Sequence, residues 1–161
     1  MFSVGQNVLY GTNGVCVVED ITEKKIGKVC VEYYVLKPLS ANMSTLFVPT
    51  QNEQLTKKIR GVLPKEEIDV ILSDLPDAGE WNDNKQERSE RFKNVVSGGD
   101  CVELIRMIRL IKSHGDELSE TGRHLHISDE RFLKEAIKMV SEEISLALDV
   151  DVKTAADLIL K

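Results

Sequence analysis

The sequence lacks any hydrophobic run of the roughly 18 residues that a membrane-spanning helix requires. It also begins without the basic and apolar stretches of a secretory signal peptide. We therefore expect a cytoplasmic protein with no membrane partner. Its 161 residues leave room for one ordinary domain or two small ones, which argues against a large catalytic architecture.

Cysteine and histidine are both scarce, and neither occurs in a metal-binding pattern. The cysteines are odd in number and include no CxxC pair, which argues against a disulfide framework and against a thiolate zinc site. We expect them to be small buried hydrophobic residues: Cys16, Cys30 and Cys101. No cysteine or acid completes a ligand pattern around the histidines, so we predict solvated loop residues and no metal: His114, His124 and His126.

Catalytic motifs are also missing. The chain contains no GxSxG, no HExxH, no glycine-rich phosphate loop and no GxGxxG. The acidic pair Glu142 and Glu143 consists of neighbours on a predicted helix, where adjacent side chains do not converge on one substrate. We therefore predict that the protein is not an enzyme, needs no cofactor and has no small-molecule substrate.

The charge balance excludes a protein that coats nucleic acid, because the formal net charge is -6 and such proteins carry a basic surface. The acidic character lies in the second half of the chain, where one stretch, residues 85–112, is locally basic. It holds four acids and seven basic residues: Lys85, Arg88, Arg91, Lys93, Arg106, Arg109 and Lys112. Any contact with DNA is therefore expected to be local.

The first 60 residues have the alternating pattern and the Val, Tyr, Thr and Phe content of β-strands. Turn signals at Asn13-Gly14 and Ile26-Gly27 predict two hairpins, and Pro49 ends a further short strand. The predicted strands are 7–10, 15–18, 21–24, 29–36 and 45–48. Four or five short antiparallel strands indicate a Tudor-like (SH3-like) half-barrel over residues 1–60.

From Pro64 onward the apolar residues recur with helical spacing. This pattern predicts an all-helical domain over residues 61–161, and therefore an α+β fold for the chain. We expect helices over 64–75, 85–96, from Asp100, from Ser128 and over 152–160. The polar segment from Gly115 to Ile127 is predicted to be a loop.

Trp81 is the single tryptophan, and it lies in a polar stretch just before the basic residues. Its indole can seal the seam between the two domains, because a large apolar ring is normally mostly buried. Alternatively it can act as an apolar wedge beside an unstacked base step while Arg88, Arg91 and Lys93 hold phosphates. The sequence leaves both interpretations open.

Several motifs occur in the same order as in a known family. They are Phe2-x-Val4-Gly5-x-x-Val8-x-Tyr10-x-x-x-Gly14, Tyr33-Tyr34-Val35-Leu36, Val48-Pro49, Trp81, Ser97-Gly98-Gly99-Asp100, Ile105-Arg106, and Ser128-Asp129-Glu130-Arg131-Phe132-Leu133 with Ala136. Through this series the chain resembles the CarD/CdnL family of bacterial RNA polymerase-binding transcription regulators. The transcription-repair coupling factor shares the family's N-terminal module.

The resemblance implies that the β module docks on the lobe of the RNA polymerase β subunit. The contact would use Lys24 together with an edge strand that contains Thr45, Leu46 and Phe47, because an unpaired strand edge can pair with a partner sheet. Phe47 stands where some members have arginine, so its contact would be apolar here.

For the helical domain the resemblance implies contact with promoter DNA at the upstream edge of the transcription bubble. Trp81 would enter the minor groove, and Arg88, Arg91 and Lys93 would be the basic contacts. The implied function is modulation of open-complex formation and stability, on the nucleoid through RNA polymerase. The alternative is a protein-interaction adaptor that uses the β module without a DNA role, and the environment of Trp81 separates the two.

Overall fold

The computed structural model describes residues 2–39 and 43–160. The chain divides into two compact units, Met1–Val62 and Leu63–Lys161, two residues beyond the boundary predicted from the sequence. The first unit is an antiparallel sheet and the second is helical, which confirms the α+β fold class with a Tudor-like β module.

The N-terminal unit is built on a five-stranded antiparallel sheet with the order β4-β3-β2-β1-β5. Its strands are β1 (Asn7–Tyr10), β2 (Val15–Ile26), β3 (Val29–Pro38), β4 (Leu46–Pro49) and β5 (Ile59–Gly61), and a short helix, α1 (Glu53–Thr56), precedes β5. The sequence did not predict α1, which is a single helical turn, or β5, which has three residues. The order leaves β4 at one edge of the sheet.

The longest strand, β2, covers two strands that the sequence pattern separated. A register shift between Val18 and Asp20 interrupts its pairing with β3, and the strand then continues to the turn at Gly27. This irregularity breaks the alternation without ending the strand, as β-bulges do. The far part of the β2–β3 hairpin is exposed, so Cys30 is exposed too, and its predicted burial was wrong. Cys16 and Cys101 are buried as predicted.

The C-terminal unit contains five helices. They are α2 (Lys65–Ser73), α3 (Lys85–Gly98), α4 (Cys101–Glu120), α5 (Ile127–Leu148) and α6 (Val152–Leu160). The core between them is apolar and includes Phe92, Ile105, Ile108, Val140 and Ile144. Gly99 in the left-handed conformation ends α3, and the Asp100 carboxylate caps α4 by accepting from the Glu103 backbone N–H at 3.0 Å.

Helix α4 continues to Glu120, where the sequence predicted a loop from Gly115 onward. Gly115 lies inside the helix, and a Cβ added there would lie only 3.1 Å from Leu125 Cδ1. Glycine therefore allows the segment after α4 to pack closely against the helix. Our prediction assigned this segment to a loop because it is polar, and it did not detect the packing contact between Gly115 and Leu125.

The last helix, α6, begins at a side-chain cap as predicted. The Asp151 carboxylate accepts a hydrogen bond of 2.7 Å from the Thr154 backbone N–H. This backbone hydrogen bond lowers the pKa of Asp151 below its usual value. The cap is therefore present at neutral pH, and its contribution to stability is lost as the pH falls through that lowered pKa.

Candidate functional site

The free edge of the sheet carries an aromatic residue and a cation in direct contact. Phe47 lies on β4 and is 48% exposed. Lys24 Nζ, from β2, lies 3.9 Å from the centre of the Phe47 ring, a cation–π contact. Leu46 belongs to the same strand, and Thr45 is exposed just before it. The structure therefore brings Lys24 into contact with Phe47, and Thr45 and Leu46 directly precede Phe47 in the chain.

The environment of Trp81 is aromatic and cationic. The indole is half-buried and stacks on the His114 ring, with 3.8 Å between centroids and 9° between planes. The Arg88 guanidinium carbon lies 4.6 Å from the indole centroid, and the Phe92 ring lies 6.1 Å away. All three neighbours belong to the helical unit, so Trp81 packs against that unit's own core.

Arg88 is not available to bind DNA, which corrects its predicted role. Its side chain is 5% exposed and forms a bidentate ion pair with Asp129, which is 1% exposed. Nε and one terminal nitrogen donate to the two carboxylate oxygens at 2.9 and 2.8 Å, and the other terminal nitrogen donates to the Asn82 carbonyl at 2.9 Å. A phosphate would have to displace a buried carboxylate. The Arg88 guanidinium, held by Asp129 and Asn82, lies against the Trp81 ring.

Arg91 and Lys93 are both exposed, but they lie on different flanks of α3. Two residues along an α-helix correspond to a rotation of about 200°. Arg91 lines an open groove of about 520 Å³ together with four carboxylates: Glu87, Glu90, Asp100 and Glu103. A phosphate that approaches Arg91 therefore meets a surface of net negative charge.

The basic stretch of residues 85–112 does not form one basic surface. Besides Arg88, Arg106 pairs with Glu103 at 2.9 Å. Arg109 donates to the Pro76 carbonyl, and Lys112 donates to the Leu160 carbonyl. A count of charges along the chain overestimated the positively charged surface, because these cations form ion pairs or hydrogen bonds with other groups of the helical unit.

A different set of cations surrounds the indole. A cavity of about 290 Å³, here called the Trp81 pocket, is lined by Trp81, Lys85, Arg123 and all three histidines, with the Arg88–Asp129 pair and Asp83 also in its wall. Our sequence interpretation did not select Lys85 or Arg123. Lys85 could have been selected from the sequence, because it lies only three residues before Arg88. Arg123 lies 42 positions after Trp81, and no local pattern connects the two.

All three histidines were predicted to be loop residues, and the structure agrees for two of them. His124 and His126 lie outside the helices, whereas His114 lies on α4 beneath the indole. Across residues 2–39 and 43–160, no group of three or more His, Cys, Asp or Glu side chains is arranged to hold a metal ion. Within the same residues, no helix is long and apolar enough to cross a membrane.

The N-terminal unit matches a known family. Residues 2–63 fit the model of the CarD-like/TRCF RID domain. The N-terminal unit is therefore a CarD-like/TRCF RID domain. The resemblance predicted from the sequence is confirmed for this unit.

This family indicates an interaction with the β subunit of RNA polymerase and a role related to transcription. Its members are typically not enzymes. The matched range contains the exposed β4 edge, whereas the Trp81 pocket lies in the helical unit, outside the match.

Proposed function

We propose that this CarD-like protein is a bacterial transcription regulator that docks on the lobe of the polymerase β subunit and contacts promoter DNA at the upstream edge of the bubble. It acts by binding rather than by catalysis, in the cytoplasm and on the nucleoid through the polymerase. The observation that carries the proposal is the RID match over the unit whose free edge presents Phe47 and Lys24.

Strand β4 is the proposed docking edge. It pairs with β3 on one side only, so its outward N–H and C=O groups can add to a partner sheet. Phe47 supplies apolar surface beside these groups, and the Lys24 ammonium contacts the face of the Phe47 ring. Thr45 and Leu46 complete the proposed contact.

The DNA contact is proposed for the helical unit. Trp81 is its apolar element, and Arg91 and Lys93 remain candidates for phosphate contacts because they are exposed. Their placement on separate flanks of α3 predicts that they make separate contacts. An acidic protein can use weak contacts of this kind because docking on the polymerase raises its local concentration at the promoter, to about the millimolar range for a short connection.

The test of docking is a quantitative binding assay between the full chain and polymerase core enzyme. We expect Phe47→Asp to weaken binding by at least about fivefold. The half-exposed ring can still bury apolar area on docking, and this burial contributes about 1 kcal/mol or more to the binding free energy. Lys24→Glu should have a smaller effect, since an exposed charge contributes about 0 to 1 kcal/mol.

The matched control is Val70→Asp, which places the same charge on an exposed apolar residue of α2, 69% exposed and outside the RID match. We expect Val70→Asp to bind like the wild type. Normal binding by both folded edge variants would refute docking through β4. Residues 1–62 alone should also bind, because they form a compact unit with its own apolar core.

The adaptor function without a DNA role remains the second candidate. It is favoured by the half-buried position of Trp81 and its stacking on His114, which give the indole a packing role. The promoter-opening experiment in the Discussion distinguishes the two functions.

A further inference from the structure

We propose that the Trp81 pocket is a binding site for a phosphate group. The inference does not rest on polymerase docking, and it assigns a ligand to side chains that the proposed function leaves unused. It starts from two exposed cations. Within residues 2–39 and 43–160 neither Lys85 nor Arg123 forms a salt bridge, and the Arg123 Nε donates only to the Thr121 hydroxyl at 3.0 Å.

The charge balance of the pocket favours an anion. With neutral histidines its wall holds three basic side chains and two carboxylates, a net charge of +1. Asp129 is already neutralised by Arg88, which leaves Asp83 as the one carboxylate that opposes a ligand.

The start of α5 adds hydrogen-bond donors beside the pocket. Its N-cap residue is His126, which lines the pocket and whose side chain makes no capping hydrogen bond within the described chain. The first backbone N–H groups of a helix have no partner within the helix and carry partial positive charge. In the same turn, Ser128 Oγ is buried without a hydrogen-bond partner among the described residues.

Phosphate is the anion that fits this combination. Its oxygens accept hydrogen bonds from a guanidinium, an ammonium group and helix N-terminal N–H groups at the same time. The cavity of about 290 Å³ has room for a phosphate group and for a small part of the molecule that carries it. The group can belong to a DNA backbone or to a free phosphorylated molecule, and the experiment separates these sources.

The experiment uses the full chain and the fluorescence of Trp81, which is the only tryptophan and lies in the pocket. Inorganic phosphate is titrated against potassium chloride of equal ionic strength. We expect a saturable change for the wild type and at least about tenfold weaker binding for Lys85→Gln/Arg123→Gln, which loses two charge-assisted hydrogen bonds. Arg123→Gln alone should show an intermediate loss.

Lys134→Gln is the matched control, because it removes an exposed cation of α5 outside the pocket. It should bind phosphate like the wild type. The proposal is overturned if the wild type shows no saturable change up to about 50 mM phosphate, or if the double variant binds normally. It is also overturned if Lys134→Gln is weakened as much as the double variant.

A second arm identifies the source of the phosphate. A short DNA duplex that competes with inorganic phosphate for the Trp81 signal would assign the pocket to the DNA backbone. Phosphate binding that is unchanged by saturating duplex would assign it to a free phosphorylated molecule. Phosphate binding is measured without polymerase, so its failure would leave the docking and promoter-opening results unaffected.

Discussion

Asp129→Ala is expected to lower the free energy of unfolding of the helical unit by roughly 3–5 kcal/mol. The substitution leaves the Arg88 guanidinium buried at 5% exposure without its carboxylate, and an unpaired buried charge is strongly destabilising. For a unit of about this size the loss corresponds to a fall in melting temperature of more than about 10 °C. Thermal and urea unfolding of the full chain measure it.

The control is an ion pair with nearly the same distance and a different burial. Arg106 and Glu103 approach to 2.9 Å but are 39% and 44% exposed. Arg106→Gln should therefore cost at most about 1 kcal/mol. If Asp129→Ala were no more destabilising than Arg106→Gln, the buried pair would not support the fold. Arg88→Met/Asp129→Leu removes both charges and should recover part of the lost stability.

Trp81→Ala is expected to shorten the lifetime of the promoter open complex while leaving polymerase binding unchanged. Loss of about 1 to 3 kcal/mol of contact between the indole and DNA changes the relevant equilibrium roughly 5-fold to 150-fold. The effect should vary between promoters, because the energy needed to unstack a base step depends on sequence. Open-complex decay after addition of a competitor measures it.

The half-buried position of Trp81 makes a control for stability necessary. His114→Ala removes the stacking partner of the indole and leaves the indole itself in place. If Trp81 contacts DNA, His114→Ala should retain most of the wild-type lifetime. Equal lifetimes for Trp81→Ala and the wild type would contradict the wedge. If Trp81→Ala and His114→Ala shorten the open-complex lifetime by the same factor and lower the melting temperature by the same amount, the adaptor function is favoured.

Much of the fold could be predicted because most of the longer elements have a local signature. The start of α4, for example, follows from Asp100, whose carboxylate caps the first turn of the helix. The last turns of α4 were assigned to a loop because they are polar, whereas the contact of Gly115 with Leu125 comes from the next connection. Close packing between separate segments leaves no period in the sequence.

The candidate site could be predicted only in part. The edge residues Lys24 and Phe47 were selected through the family resemblance, and the Lys24 ammonium lies 3.9 Å from the centre of the Phe47 ring. Of the residues around Trp81, Arg88 was misassigned and Arg123 was missed. Both errors concern contacts between residues about 40 positions apart.

The sequence by itself determined the change from strand to helix near residue 62, the absence of familiar catalytic motifs and the uniqueness of Trp81. Only the tertiary structure decided which cations remain free to bind an anion. Helix and strand preferences arise from neighbours within a few residues, whereas the availability of a charge depends on every side chain folded against it. Asp129 therefore removes Arg88 from the surface, and the segment after α4 brings Arg123 to the indole.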